Sequence, residues 1–350
     1  MYDVILSFIT AFAVTYFAIP SIINIARVKG LCDEPGERRS HTVSTPSLGG
    51  IGIFAGLLFS VVLWTPFYLF NDLQYIIAAF VIIFFVGMND DIIELSPRKK
   101  LIAELVAAGI LIFKANVKIT SLYGLFGVGT LPMWVSAPLS IFTIIVIINA
   151  FNLIDGINGL SGSIGVLISL TLGTWFILID RFELSVIAYS LAGALIAFLK
   201  YNYTPAKIFM GDTGSLLVGM GCSILTLKFI ELHQLIPEHP YAFDAVPAVA
   251  IGILILPLYD TLRVFTMRII RGRSPLSPDR NHIHHLLIDF GYTHMQATYV
   301  LVLVNVAFIL MVFSLQGIGT INLLLLTLFI AIGLSSLLFY LVRRRKIRLS

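Results

Sequence analysis

The sequence predicts an all-α polytopic membrane protein of about eleven transmembrane helices, and three observations carry that prediction. Hydrophobic residues make up 58% of the 350 and charged residues only 12%, with a mean hydropathy of +0.96. Soluble domains carry about 25% charge. The apolar residues fall in runs that match the ~30 Å of a bilayer core as helices, and no barrel-like alternation recurs. Lysine and arginine, finally, are crowded onto alternate loops.

The expected spans are 3–25, 48–69, 73–88, 100–114, 133–150, 161–179, 184–199, 213–230, 245–267, 294–314 and 318–341. Met1–Pro20 lacks the basic leader and small-residue cleavage site of a signal peptide, so the first run reads as a retained span. Pro257 is expected to bend the ninth span. Of the 23 Lys and Arg, all but Lys114, Lys118, Arg181 and Lys228 lie on or beside loops 26–47, 89–100, 151–160, 200–212 and 268–293 or the tail. The positive-inside rule puts those segments in the cytoplasm, with the N-terminus outside and the C-terminus inside. The chain reads as a single integral-membrane catalytic domain, 1–350. Its basic tail, 343–350, carries the run Arg343-Arg344-Arg345-Lys346, an anchor beside anionic lipid.

Topology accounts for the net charge of +4, so no nucleic-acid partner is expected. Cys32 and Cys222 point to neither a disulfide nor a metal site. Outside, the 114–132 loop can form a small hairpin from Val117 onward, and His233 and His239 read as solvated loop histidines.

Every chemically suggestive stretch falls on the cytoplasmic side. Asn149–Ser163, NAFNLIDGINGLSGS, sets Asn149, Asn152, Asp155 and Asn158 among glycines between two apolar runs. Amides and acids beside hydrocarbon imply function by default. Asn89-Asp90-Asp91 with Glu94 places adjacent carboxylates at a helix end, where a cation relieves their repulsion. Hard oxygen ligands favour Mg²⁺, with Mn²⁺ as second choice. Asp212 opens the eighth span in MGDTGS, where a helix N-terminus binds an anion while the carboxylate holds a cation. Two basic elements complete the set: Arg38-Arg39-Ser40-His41, leading to PSLGG, and Asp279-Arg280-Asn281-His282-Ile283-His284-His285. Neighbouring His284 and His285 cannot face one way on a helix, so the second favours phosphate over zinc.

Five motifs in this order, PSLGG, NDDIIE, NAFNLIDGINGLSG, YNYTPAKIFMGDTGSL and DRNHIHHLL, make the chain between Arg27 and Phe290 resemble the polyprenyl-phosphate N-acetylhexosamine-1-phosphate transferases. HIHH is similar to the WecA/TagO branch rather than the MraY branch. The resemblance implies transfer of a sugar 1-phosphate from a UDP-N-acetylhexosamine, GlcNAc by default, to undecaprenyl phosphate with release of UMP. It implies Mg²⁺ dependence and the bacterial cytoplasmic membrane, as the first membrane step toward a cell-envelope polysaccharide such as O-antigen. A homodimer is left open. It also implies Asp212 as principal metal ligand, with Asp90 and Asp91 as catalytic pair and further metal ligands. Asp155, Gly156 and Ile157 are implied to line the uridine pocket with Asn202 nearby, and Phe209 to stack on uracil. Asn149, Asn152, Asn158 and His41 join the binding set, while Arg280, His282, His284 and His285 hold the diphosphate or sugar. Asn158 departs from the aspartate many relatives carry, so no base is available there.

Two other classes fit the sequence less well. A transporter keeps its site near the midplane on broken, paired helices, whereas these clusters sit at span ends on one side. A CDP-alcohol phosphotransferase needs its acids in one long motif, which is missing.

Overall fold

In the computed structural model, residues 1–33, 44–70, 72–272, 274 and 281–349 are described, Arg348 and Leu349 by their backbone alone. Among the described residues thirteen α-helices follow one another: α1 Tyr2–Lys29, α2 Gly49–Trp64, α3 Leu73–Ile92, α4 Pro97–Phe113, α5 Met133–Ile154, α6 Leu160–Leu178, α7 Phe182–Asn202, α8 Gly211–His233, α9 Val246–Ile253, α10 Ile255–Ile270, α11 Ile283–Phe290, α12 His294–Leu315 and α13 Thr320–Leu349. A two-residue antiparallel pairing, Cys32–Asp33 with Thr45–Pro46, is the sheet among the described residues. Every expected apolar run coincides with a helix. Eight of the helices are long and apolar enough to cross a membrane, nine if α9 and α10 form one bent span. The expected count of eleven needs the 16-residue α2 and the 17-residue α4 as well.

Local signals explain several boundaries. Gly30 ends α1 at φ 69°, the left-handed turn that glycine adopts without strain. Pro97 occupies the first turn of α4, where a missing N–H costs nothing. Thr293 and Gln296 close a capping box on α12.

The ninth run breaks by 83° at Leu254, three residues before Pro257. Proline cannot donate to the carbonyl of Ile253. Asn305 of α12 compensates: its Nδ2 donates to the Ile253 carbonyl at 3.1 Å and its Oδ1 accepts from the Leu256 N–H at 3.2 Å. The break is therefore clasped.

Helix α8 is the axis of the bundle, buried along almost its whole length and packed by α2, α3, α5 and α6. Lipid offers no hydrophobic drive between helices, so small residues allow close approach. A Cβ on Gly219 would lie 2.7 Å from the Ile148 Cα, and one on Gly87 2.5 Å from the Thr213 Cα. The N-termini of α2, α4, α6 and α8 meet the C-termini of α3, α5 and α7 at one end of the bundle.

At the opposite end the 114–132 loop forms a tight hairpin-like turn, with a Ser121–Thr130 bridge and a Leu131 N–H to Thr120 carbonyl bond of 2.7 Å. The expectation for His233 is corrected. It lies inside the last turn of α8, 3% exposed, stacked 4.3 Å from Trp175 and edge-on to Phe229. Its Nδ1 meets the Phe229 carbonyl at 2.6 Å. The helix outlasts the apolar run by three residues and carries the ring into an aromatic box. His239 is a partly exposed loop residue, as expected.

Candidate active site

A cavity of about 550 Å³ opens where the helix ends converge, lined by Ser47, Asp90, Asp91, Glu94, Asn152, Asp155, Gly156, Ile157, Asn158, Asn202, Phe209, Asp212 and His285, among others. Its floor is the start of α8. Gly211 enters at φ 70°, and the following N–H groups of Asp212 and Thr213 have no helical partner. Asp91 supplies one: Oδ1 accepts from Asp212 N at 2.7 Å, and Oδ2 from Thr213 N at 3.0 Å and Thr213 Oγ1 at 2.5 Å. Asp91 thus ties the end of α3 to the start of α8.

The PSLGG stretch closes the same floor. Gly49 N donates to the Phe209 carbonyl and Gly50 N to the Met210 carbonyl, both at 2.9 Å, and a Cβ on Gly50 would collide with Gly214. Phe209 is held at the cavity edge by this backbone pairing and by its own N–H to the Pro46 carbonyl, 2.7 Å.

Asp90 and Asp212 converge on the ammonium of Lys100, at 2.8 Å from Asp90 Oδ2 and in direct contact with Asp212 Oδ2. Asn152 Nδ2 orients the other oxygen of Asp212 from 2.7 Å and also donates to Ser215 Oγ at 3.0 Å. The Leu95 N–H steadies Asp90 at 2.7 Å. Behind Lys100, one helical turn away, the buried Glu104 accepts from Asn149 Nδ2 at 2.8 Å. Asn149 therefore stands behind the cavity, not on its wall.

Asn202 braces the 151–160 turn, accepting from Gly159 N at 2.6 Å and donating to the Ile208 carbonyl at 2.9 Å. Asn158 donates to Thr204 Oγ1 at 2.9 Å, and its carbonyl accepts from Thr298 Oγ1 at 2.8 Å. Burial pushes the Asp155 carboxyl up to about 8, with the Asp212 and Asp91 charges adding to the effect.

The three histidine rings stay together, 4.2 to 6.5 Å between centroids, but take different surroundings. His285 lines the cavity. His284 is 1% exposed, and its Nε2 has no hydrogen-bond partner among the described residues. It presses on Gly156, where any Cβ would strike the ring. Burial, reinforced by the neighbouring His285, holds this imidazole down at about 3, hence neutral. His282 is buried behind the cavity, its Nδ1 2.9 Å from Asp260 Oδ2. Asp260, 2% exposed, also accepts from Arg263 at 2.9 Å and from Ile283 N at 3.0 Å. Arg263 in turn holds the Asn281 carbonyl. This cluster fixes the start of α11. His41 and Arg280, with Arg38, Arg39 and Asp279, lie outside the described residues.

Sequence reasoning missed Lys100, Glu104, Asp260 and Arg263. A signal existed for three. Glu104, Asp260 and Arg263 are charges inside apolar runs, the same default hint of function that marked Asp155. Lys100 was counted only as part of a basic cluster.

Does the donor set suit a divalent cation? Among the described residues no three carboxylates or imidazoles converge as a metal site. Two carboxylates, Asp90 and Asp212, do converge, and a cation, the Lys100 ammonium, stands between them. Among the described residues the cavity wall carries five acidic side chains, of which Asp155 is held mostly protonated by burial. The ionised oxygens of Asp90 and Asp212 are hard donors of the kind that suits Mg²⁺ or Mn²⁺.

The site is thus an acid-lined cavity in a helical membrane bundle, with a helix N-terminus as its floor. Comparison with known proteins sharpens that description. The family model for glycosyl transferase family 4 matches residues 73–230. A probable undecaprenyl-phosphate N-acetylglucosaminyl 1-phosphate transferase of Bacillus subtilis is 30% identical over 341 residues, covering 95% of this chain and 90% of that one. A decaprenyl-phosphate N-acetylglucosaminephosphotransferase of Mycolicibacterium smegmatis is 30% identical, covering 83% of this chain and 76% of that one. An undecaprenyl-phosphate alpha-N-acetylglucosaminyl 1-phosphate transferase of Salmonella typhi is 31% identical, covering 77% and 72%. The chain belongs to the polyprenyl-phosphate N-acetylglucosamine 1-phosphate transferase family. These relatives give no support to the transporter reading.

Proposed function

We propose that this protein transfers N-acetylhexosamine 1-phosphate, GlcNAc 1-phosphate by default, from a UDP-sugar to undecaprenyl phosphate in a bacterial cytoplasmic membrane. The products are UMP and the undecaprenyl-diphospho-sugar that starts a cell-envelope polysaccharide. The observation that carries this reading is the meeting of Asp90, Asp212 and Asn152 around Lys100 at the N-terminus of α8.

Phosphoryl transfer asks for positioning and charge neutralisation more than for covalent chemistry. In the cavity, Asp90 orients the acceptor phosphate and takes its proton. A phosphate oxygen then attacks the sugar-bearing phosphorus, the bond to the α-phosphate breaks, and UMP leaves. Lys100 balances the charge that moves onto UMP. Asp91 acts through its grip on the α8 N-terminus, keeping Asp212 aimed. Phe209, with Asp155, Gly156 and Ile157, flanks the base and ribose. His285 faces the sugar-phosphate end. Asp212 and Asp90 would hold Mg²⁺ or Mn²⁺, which when bound neutralises the diphosphate. Placing the active site on the cytoplasmic face of eleven spans is part of the same proposal.

The test is UMP release by purified protein given undecaprenyl phosphate, Mg²⁺ and a panel of UDP-N-acetylhexosamines. UMP that requires lipid, metal and one donor together supports the reading and names the donor. Folded protein that releases none, yet binds uridine nucleotide, shifts the donor outside the panel; no binding at all overturns the proposal.

A further inference from the structure

A second cavity lies away from the reaction site, a slot of about 230 Å³ between α10, α11, α12 and α13. Its lining is almost wholly hydrocarbon: Ile255, Leu287, Phe290, Val304, Leu334 and Leu341 among others. Leu334 is 47% exposed and Leu341 38%, so the slot opens sideways on a face that lipid would cover. At one end its chemistry changes. Just past Leu341, α13 turns into Arg343-Arg344-Arg345-Lys346. The Arg345 guanidinium lies 5.5 Å over the Phe290 ring and against Gly291, and Arg344 lies 5.4 Å over Tyr340. Lys346 pairs with Asp289 of α11 at 2.8 Å. All four basic residues are exposed.

A hydrocarbon slot with guanidinium groups at its mouth has the shape and charge of one kind of molecule. We propose that this slot is a binding site for an anionic membrane lipid, an acyl chain lying along it and the headgroup phosphate meeting Arg344 and Arg345. A zwitterionic lipid such as phosphatidylcholine fills the slot equally well and brings a phosphate, but its own ammonium offsets that charge, whereas a net-anionic headgroup leaves its phosphate free for charge-assisted contact with the guanidinium pair.

The consequence for the protein lies in the wall. Ile283, Leu287 and Phe290 of α11 face the slot, while His285 of the same helix faces the reaction cavity and His284 presses on Gly156. Eight residues are too few for a helix to stand by its own hydrogen bonds. What packs on its apolar face therefore sets how firmly its histidines are held. The lipid is an effector that steadies α11, not a reactant.

The test uses the full-length protein in nanodiscs of phosphatidylcholine alone or with phosphatidylglycerol, with thermal midpoint and lipid retention in native mass spectrometry read before any substrate is added. Phosphatidylglycerol is expected to be retained at one per chain, to raise the midpoint, and to raise UMP release by about fivefold, a usual size for coupling between sites. The double variant R344Q/R345Q and, separately, Leu334→Trp, which fills the slot, should lose all three responses while keeping the wild-type midpoint in phosphatidylcholine. Equal effects of the two lipids, an equal effect of inorganic phosphate, or undiminished retention by both variants each overturn the proposal. Because retention is read without substrate, its failure is distinct from a failure of the transferase reading, which shows as no UMP in either lipid.

Discussion

Helix α8 carries a carboxylate near each end, and the two could hardly be employed more differently. Glu231, near its C-terminus, is consumed by local ties: Thr120 Oγ1 donates to its oxygens at 2.8 and 3.0 Å, and Gln234 and the Thr120 N–H add weaker bonds. It pins the 114–132 hairpin. Asp212, at the N-terminus, shares one lysine with Asp90 at the edge of a large cavity. What marks the site is therefore an acid whose neighbours leave it facing open volume with charge in surplus.

Exchanging the two acids tests this most severely. Asp212→Asn should lower UMP release about 10³-fold, the upper range for loss of one preorganised electrostatic group, while Glu231→Gln stays within about twofold and mainly lowers the thermal midpoint. Comparable losses in both would erase the contrast. Next comes Lys100→Met. Removing the shared cation should cost about 10²-fold in turnover, and metal titration should show tighter Mg²⁺ binding because the two carboxylates lose their competitor. Weaker binding would mean that Lys100 shapes the metal site rather than competing for it.

Gly156→Ala forces His284 off the turn and should reduce turnover about tenfold, in line with a small misplacement of a reacting group; an unchanged rate would show that the contact has slack. Acid reads the same contact through stability. His284 is neutral in the fold at about 3, against an unfolded value near ~6.5. Between those values the unfolded chain binds more protons at this residue, so the His284 contribution to stability falls as pH drops from ~6.5 toward 3, while Asp155, held up at about 8, contributes in the opposite sense. The midpoint of the wild type measured against that of His284→Gln should therefore fall as pH drops through that window. Smallest of all is Asn158→Asp. The Thr204 hydroxyl can turn from acceptor to donor, so activity should stay within about twofold.

The helices were legible because their signal is collective: a run of twenty apolar residues is hard to misread. The cavity was legible in part, since amides and acids among glycines at helix ends conflict with hydrocarbon. Partnership was not legible. Asp90 and Asp91 are adjacent in sequence and both line the cavity, yet one pairs with Lys100 and the other caps α8, a difference set by the 100° that each helical step turns. Nothing in HIHH reveals that Asp260, twenty-two residues earlier, claims its first histidine. His233 went astray because a polar residue at the end of an apolar run was assumed to be wet, while the helix continued. The shift of the break from Pro257 to Leu254 follows from the carbonyl that proline leaves unpaired, three to four residues upstream.

One feature of the floor limits what the site can become. Gly50, Gly87 and Gly214 let α2, α3 and α8 meet backbone to backbone, with no side chain between them that could shrink or rotate. That side of the cavity has a fixed outline. The opposite side is a short helix held by one buried carboxylate at its start and by the end of α13 behind it. A variant library aimed at other UDP-sugars has room to work on α11 and its supports; on the glycine floor, each added methyl group is a collision.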